Sequence, residues 1–172
     1  MHLNTEQLGS PLKVEGFIGG NSLVRKNDRS YCVINSQGEV ILDNLGSYQA
    51  YQIEPIYYEG KEYLRLEDAN YKKGIISNSG EVIVPFEYSE IEEKDNFVIA
   101  KKGNNPDYTY GVYSWEGEEI LECKYLEAKS LNYGTQILAK DDESKWYLFD
   151  ASGKEICSYG EYYSMGYSQT DS

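Results

Sequence analysis

Histidine is almost absent from this chain: the single copy, His2, stands in the stretch MHLNTEQLGSPLK, which has neither a basic start nor an apolar signal core. Acid–base catalysis at neutral pH and most zinc sites draw on histidine, so both lose their commonest side chain. Cysteine is sparse and odd in number. Cys32, Cys123 and Cys157 stand far apart among strand-like neighbours, which fits buried free thiols rather than a disulfide framework, or a nucleophile with no base beside it. Basic residues are few, 16 against 29 acids, giving a formal net charge of −13. Such a chain repels phosphate, whereas a nucleic-acid binder needs a basic face to displace counterions. No apolar run approaches the roughly 20 residues of a membrane helix, so the expectation is a cytoplasmic protein without membrane contact. A sustained 3.6-residue apolar period is also missing, which leaves long helices without support.

What is present suffices for a folded core. The 172 residues are 40% hydrophobic and 14% aromatic, too apolar for a disordered chain, and their number suits one domain. Four segments align without a gap: YCVINSQGEVIL (31–42), KGIISNSGEVIV (73–84), YGVYSWEGEEIL (110–121) and WYLFDASGKEIC (146–157). Each has glycine at its eighth position, Gly38, Gly80, Gly117 and Gly153, and isoleucine three residues later, Ile41, Ile83, Ile120 and Ile156. Apolar residues flank each glycine at a distance, with Asn, Ser, Asp or Glu nearer to it. That pattern predicts two strands joined by a short loop in which glycine supplies a positive φ.

An earlier apolar stretch precedes each hairpin: SLVRK (22–26), EYLRL (62–66), NFVIAKK (96–102) and TQILAK (135–140). The expected fold is therefore all-β, with four repeats of a three-stranded antiparallel meander, about twelve strands in total. A three-stranded sheet cannot cover its own apolar face, so the repeats must stack, as an open curved array or a propeller-like ring. The expected domain spans residues 12–163, between tails at 1–11 and 164–172.

The pattern resembles the WG-repeat family of bacteria, whose unit reads roughly Trp-Gly, a few apolar residues, an acidic or Asn residue, a turn glycine, an apolar strand and Pro-x-x-Tyr. Here the signature dipeptide is degenerate: Tyr31-Cys32, Lys73-Gly74, Tyr110-Gly111 and Trp146-Tyr147, with the clearest tail at Pro85-Phe86-Glu87-Tyr88. The resemblance implies a β-repeat architecture and a role in binding. It implies no catalytic residues.

Charge is unevenly spread: residues 81–128 hold twelve acids against four bases, more than half of the chain's excess. Acidity commonly serves solubility, and Glu90, Glu92, Glu93 and Asp95 read as a solvated acidic loop. Concentrated like charge, however, costs stability through self-repulsion and so points to a basic protein partner. The residues expected to meet it are Glu87, Glu90, Glu92, Glu93, Asp95, Glu116, Glu118 and Glu119, with Tyr57 and Tyr58 drawn from 18 tyrosines that otherwise fit strand packing. The most concrete version is a bacterial immunity protein that neutralises a basic toxin domain. A different class is a carbohydrate or cell-wall binder with exposed aromatics. No metal or cofactor is expected: Asp141-Asp142-Glu143 lacks the spacing that wraps calcium and reads as an exposed turn, and Gly19-Gly20-Asn21 opens no phosphate cradle.

Overall fold

Asn35, Ser77, Ser114 and Asp150 hold the fifth position of the four aligned segments, and each turns the chain in the same way. Asn35 Oδ1 accepts from the Gln37 and Glu39 amides at 3.0 and 2.9 Å, and Asp150 Oδ1 from the Ser152 and Lys154 amides at 2.9 and 3.0 Å. Ser77 Oγ accepts from the Glu81 amide at 3.0 Å, and Ser114 Oγ from those of Glu116 and Glu118 at 3.1 and 3.2 Å. The glycine amide then closes the loop by donating to the carbonyl of that fifth residue, at 3.0 to 3.2 Å in all four copies. Gly38, Gly80, Gly117 and Gly153 have φ of 81°, 90°, 91° and 84°, the left-handed conformation expected of them.

The computed structural model describes residues 13–14, 20–27, 31–43, 52–67 and 70–159, so the expected tails lie outside the described residues. The fold is all-β, in four antiparallel sheets. Sheet 1 contains β1 (Lys13–Val14), β2 (Asn21–Arg25), β3 (Tyr31–Asn35) and β4 (Val40–Leu42). Sheet 2 contains β5 (Gln52–Tyr58), β6 (Lys61–Glu67), β7 (Lys73–Ser77) and β8 (Val82–Tyr88). Sheet 3 contains β9 (Glu90–Glu93), β10 (Val98–Asn104), β11 (Asp107–Tyr113) and β12 (Glu119–Tyr125). Sheet 4 contains β13 (Glu127–Leu131), β14 (Gln136–Lys140), β15 (Trp146–Asp150) and β16 (Glu155–Tyr159). Within each sheet every strand is hydrogen-bonded to its neighbours in sequence.

Each unit thus has four strands where three are expected. The added strand is the first, and it forms from the connection between repeats. It escapes a search for apolar alternation because it is an edge strand with one polar flank: β9 reads EIEE and β13 EAKSL, each with one side chain, Ile91 or Ala128, packed against the core. Polar edge strands protect a sheet from pairing with strangers, and β5, an edge strand, carries Pro55, a residue without an amide hydrogen that sheets tolerate at their edges.

Alternation along the strands sends the two faces of sheet 2 to different neighbours. Leu64, Leu66 and Ile76 pack with Val33 of sheet 1, while Tyr63, Ile75 and Tyr88 pack with Val98, Ala100, Tyr113 and Trp115 of sheet 3. Phe97, Ile99 and Val112 of sheet 3 then meet Ala128, Ile137, Ala139 and Phe149 of sheet 4. The repeated residues also interlock between units. A Cβ on Gly80 would overlap the Ile41 carbonyl oxygen, one on Gly117 would stand 3.1 Å from the Val82 carbonyl, and one on Gly153 would stand 2.8 Å from that of Ile120. Glycine is needed there twice over, for its φ and for the contact with the isoleucine strand of the preceding unit.

Candidate functional site

Antiparallel strands in sequence order place the β5–β6, β7–β8, β9–β10, β11–β12, β13–β14 and β15–β16 turns at the same end of their respective sheets. Contacts within and between sheets join these ends. Within sheet 3, Trp115 Nε1 donates to the Lys94 carbonyl at 3.0 Å and ties two turns together, and between sheets 3 and 4 Asn96 Nδ2 donates to the Gly134 carbonyl at 2.8 Å. The result is a rim of turns. Where sheets 2 and 3 meet on it there is an open groove of about 900 Å³.

Tyr63, Ile83 and Trp115 form the floor of the groove, and Tyr57, Glu62, Glu81 and Glu116 stand around it. The floor is fixed by ring packing: Tyr58 stacks on Trp115 at 4.8 Å and 14°, and Tyr63 leans on the same indole at 5.0 Å. Tyr57, by contrast, is 69% exposed, with its hydroxyl 3.5 Å from Glu62 Oε1. Burial pushes the Tyr58 and Tyr63 phenols up, and the carboxylates of Glu59 and Glu116 push them further. Among the described residues, Glu59, Glu62, Glu81, Glu116 and Glu118 form no ion pair. Lys61 is, among the described residues, the single cation lining the groove.

The acids of 87–95 are differently placed, and the expectation of a solvated loop is corrected: Glu90–Glu93 is strand β9, paired with β10 through Glu90 opposite Lys101 and Glu93 opposite Val98. Its carboxylates have cations of their own. Glu90 pairs with Lys101 at 3.1 Å, Glu92 with Lys94, and Glu87 with Lys102 at 2.9 Å. Glu93 meets Arg65 of sheet 2 at 2.6 Å, and Arg65 also pairs with Glu54, so one guanidinium ties the two sheets together. Burial pulls the Arg65 pKa down, but the bonds to Glu54 and Glu93 outweigh it and hold the group above its ordinary value. Only Asp95 of this stretch is exposed in a rim turn without an ion pair among the described residues.

The structure therefore gathers some of the expected residues and disperses others. Tyr57 and Glu116 share the groove, and Glu118 stands exposed in the adjoining turn. Glu119 begins β12, where the Tyr113 hydroxyl lies 3.4 Å from it, and Tyr58 supports the floor rather than offering a surface. Glu62, Glu81 and Trp115 line the groove, and Glu59 stands in the β5–β6 turn beside it, without having been singled out in the sequence. One signal for Glu81 is present there: the residue after the turn glycine is Glu39, Glu81 and Glu118 in three of four copies, then Lys154. None of Cys32, Cys123 and Cys157 forms a disulfide; Cys32 is buried as expected, whereas the expectation of burial is corrected for Cys123 and Cys157, which are half-buried. Asp141–Glu143 lies in the β14–β15 turn, where Asp141 Oδ1 accepts from the Lys145 amide at 2.9 Å.

No family model matches the chain, and no curated protein matches it. A solved structure described as the crystal structure of the eukaryotic initiation factor is similar at a TM-score of 0.41 and 10% identity, over 88% of this chain and 43% of that one. The chain thus spans less than half the length of that structure, and a likeness of this degree carries no argument about function.

Proposed function

We propose that this chain is a non-enzymatic protein-binding module that holds a basic partner against its rim of turns. In its most concrete form it is a degenerate WG-repeat protein, arranged as a curved or propeller-like array, that serves as an immunity protein against a basic toxin domain. The observation that carries the reading is the contrast in pairing. Acids on the β9 side of sheet 3 are matched by lysines and an arginine, whereas Glu59, Glu62, Glu81, Glu116 and Glu118 lack ion pairs among the described residues. Unmatched carboxylates at one end of a fold repel each other and steer a cationic surface toward that end.

Backbone geometry supports the same reading. Glu59 and Gly60 form a two-residue hairpin loop with φ of 46° and 74°, a turn that favours Asn-Gly or Asp-Gly. Glutamate in the left-handed region is strained, and the strain is retained where it sets a carboxylate on the rim.

The test compares two variants of equal charge: E81Q/E116Q/E118Q on the rim and E87Q/E90Q/E92Q beside β9. Association with a candidate basic toxin nuclease domain is measured at low and high salt. The rim variant should slow association by about tenfold at low salt, and the β9 variant by less than about twofold. Equal slowing by both would reduce the effect to net charge and sink the rim as the site. The carbohydrate reading draws on one observation, that Tyr57, Trp115 and Asn78 line the same groove. It requires binding that is indifferent to the three rim carboxylate changes and to salt.

A further inference from the structure

Four lysines of this fold, Lys101, Lys124, Lys129 and Lys140, settle where a carboxylate and an aromatic ring converge. Lys101 lies 3.9 Å from the centre of the Tyr108 ring and 3.1 Å from Glu90. Lys124 stands 5.9 Å from the Tyr125 ring and 3.1 Å from Glu122. Lys129 and Lys140 lie 5.8 and 5.6 Å from the Trp146 ring, and both pair with Glu127, at 3.2 and 3.5 Å. In each cluster an ammonium is drawn at once by a carboxylate and by the negative face of a ring. The groove between sheets 2 and 3 has the same two components in greater number: Tyr57, Tyr63 and Trp115 with Glu62, Glu81 and Glu116. Its own cation, Lys61, has no ion pair and lies over no ring among the described residues.

We propose that this groove receives one arginine side chain from the basic partner, an inference that rests on the protein-binding reading above and names its anchoring contact. The guanidinium stacks against the exposed Tyr57 ring and forks toward the carboxylates of Glu62, Glu81 and Glu116. Its aliphatic stem lies along Ile83 and the floor. Arginine fits better than lysine because a planar, weakly hydrated cation stacks on a ring and meets carboxylates in the same pose. Arginine is also enriched among the few residues that dominate protein interfaces, where it fills pockets of this kind.

N-acetyl-arginine amide is the probe, titrated into the ¹⁵N-labelled chain while the indole N–H signals of Trp115 and Trp146 are followed. N-acetyl-citrulline amide serves as the uncharged control, and a cello-oligosaccharide as the sugar control. The expected result is a saturable shift of Trp115 with the arginine probe, no shift of Trp146, and little response to either control. E62Q/E81Q/E116Q should weaken the interaction by about tenfold or more, and Tyr57→Ala by about two- to fivefold. The inference is overturned if citrulline or the sugar moves Trp115 as far as arginine does, if the triple variant binds arginine unchanged, or if arginine leaves Trp115 still. In that last case, slowed capture of a basic toxin domain by E81Q/E116Q/E118Q would preserve the broader reading while this pocket falls.

Discussion

Two parts of this protein are rich in glutamate, the β9 strand with its flanks and the rim of turns at the end of sheets 2 and 3, and their carboxylates live under different conditions. In β9 the acids alternate along an edge strand, so Glu90 and Glu92 reach Lys101 and Lys94 while Glu93 points back to Arg65. On the rim the acids sit on or beside the tight turns at 59–60, 78–81 and 114–118, which carry no lysine or arginine. The one lysine lining the groove among the described residues, Lys61, forms no ion pair among them. Cross-strand pairing brings Lys101 to Glu90, sheet stacking brings Arg65 to Glu93, and Lys94 reaches Glu92 from two residues along the chain, whereas side chains on turn tips diverge into solvent. Acid content is therefore a poor guide to where a field is directed outward. Whether each carboxylate has a partner is the better one.

The sharpest way to break this contrast is to unseat the rim. Gly80→Ala would force a left-handed alanine against the Ile41 carbonyl, and a loss on the order of 3 kcal/mol is expected from urea unfolding. A stable Gly80→Ala protein would show that the interlock between units is softer than described. Next in size is Arg65→Gln, which leaves Glu54 and Glu93 facing each other between the sheets. It should cost about 1 to 2 kcal/mol, with the deficit shrinking as salt is raised.

Glu59→Asn tests whether the rim trades stability for charge. It should raise stability by about 0.5 kcal/mol, through relief of the left-handed glutamate, while slowing capture of a basic partner. A variant that gains stability and binds as before would remove Glu59 from the site. The converse change, Lys94→Gln with Lys101→Gln, frees Glu92 and Glu90. If pairing is what silences β9, this double variant should associate about twofold faster with a basic domain at low salt.

The smallest effect concerns pH. The bond from the Ser152 hydroxyl is the main cause holding the Asp150 carboxyl below its ordinary value, with help from the Lys154 amide. A carboxylate lowered on folding stabilises the protein above its unfolded pKa, and that support fades as pH falls through the lowered folded value. Thermal midpoints of the parent should therefore drop more steeply below about pH 4 than those of Asp150→Asn. Parallel curves would mean that the fourth turn, the one of the four with a charged acceptor, does not depend on that charge.

Several of these features were legible in the residues themselves. The glycine at the eighth position and its polar partner at the fifth specify a loop that closes within five residues, so the four hairpins needed no tertiary information. The strands β2, β6, β10 and β14 were marked in the same way by short apolar runs. β5, β9 and β13 were not. In β9 and β13 an edge strand with one core-facing side chain, Ile91 or Ala128, owes its hydrogen bonds to the sheet it joins, and EIEE read alone is as good a loop as a strand.

Sequence by itself determined the repeat, the all-β character and the concentration of acid in the middle of the chain, because turn chemistry and side-chain alternation act over a few residues. Tertiary structure decided which acids are free. Glu93 lies 28 residues from Arg65, and Tyr57 lies far along the chain from Glu116, so pairing in one case and convergence in the other depend on how the sheets stack. Coulomb attraction falls off with distance through space rather than along the chain, and only the fold sets that distance.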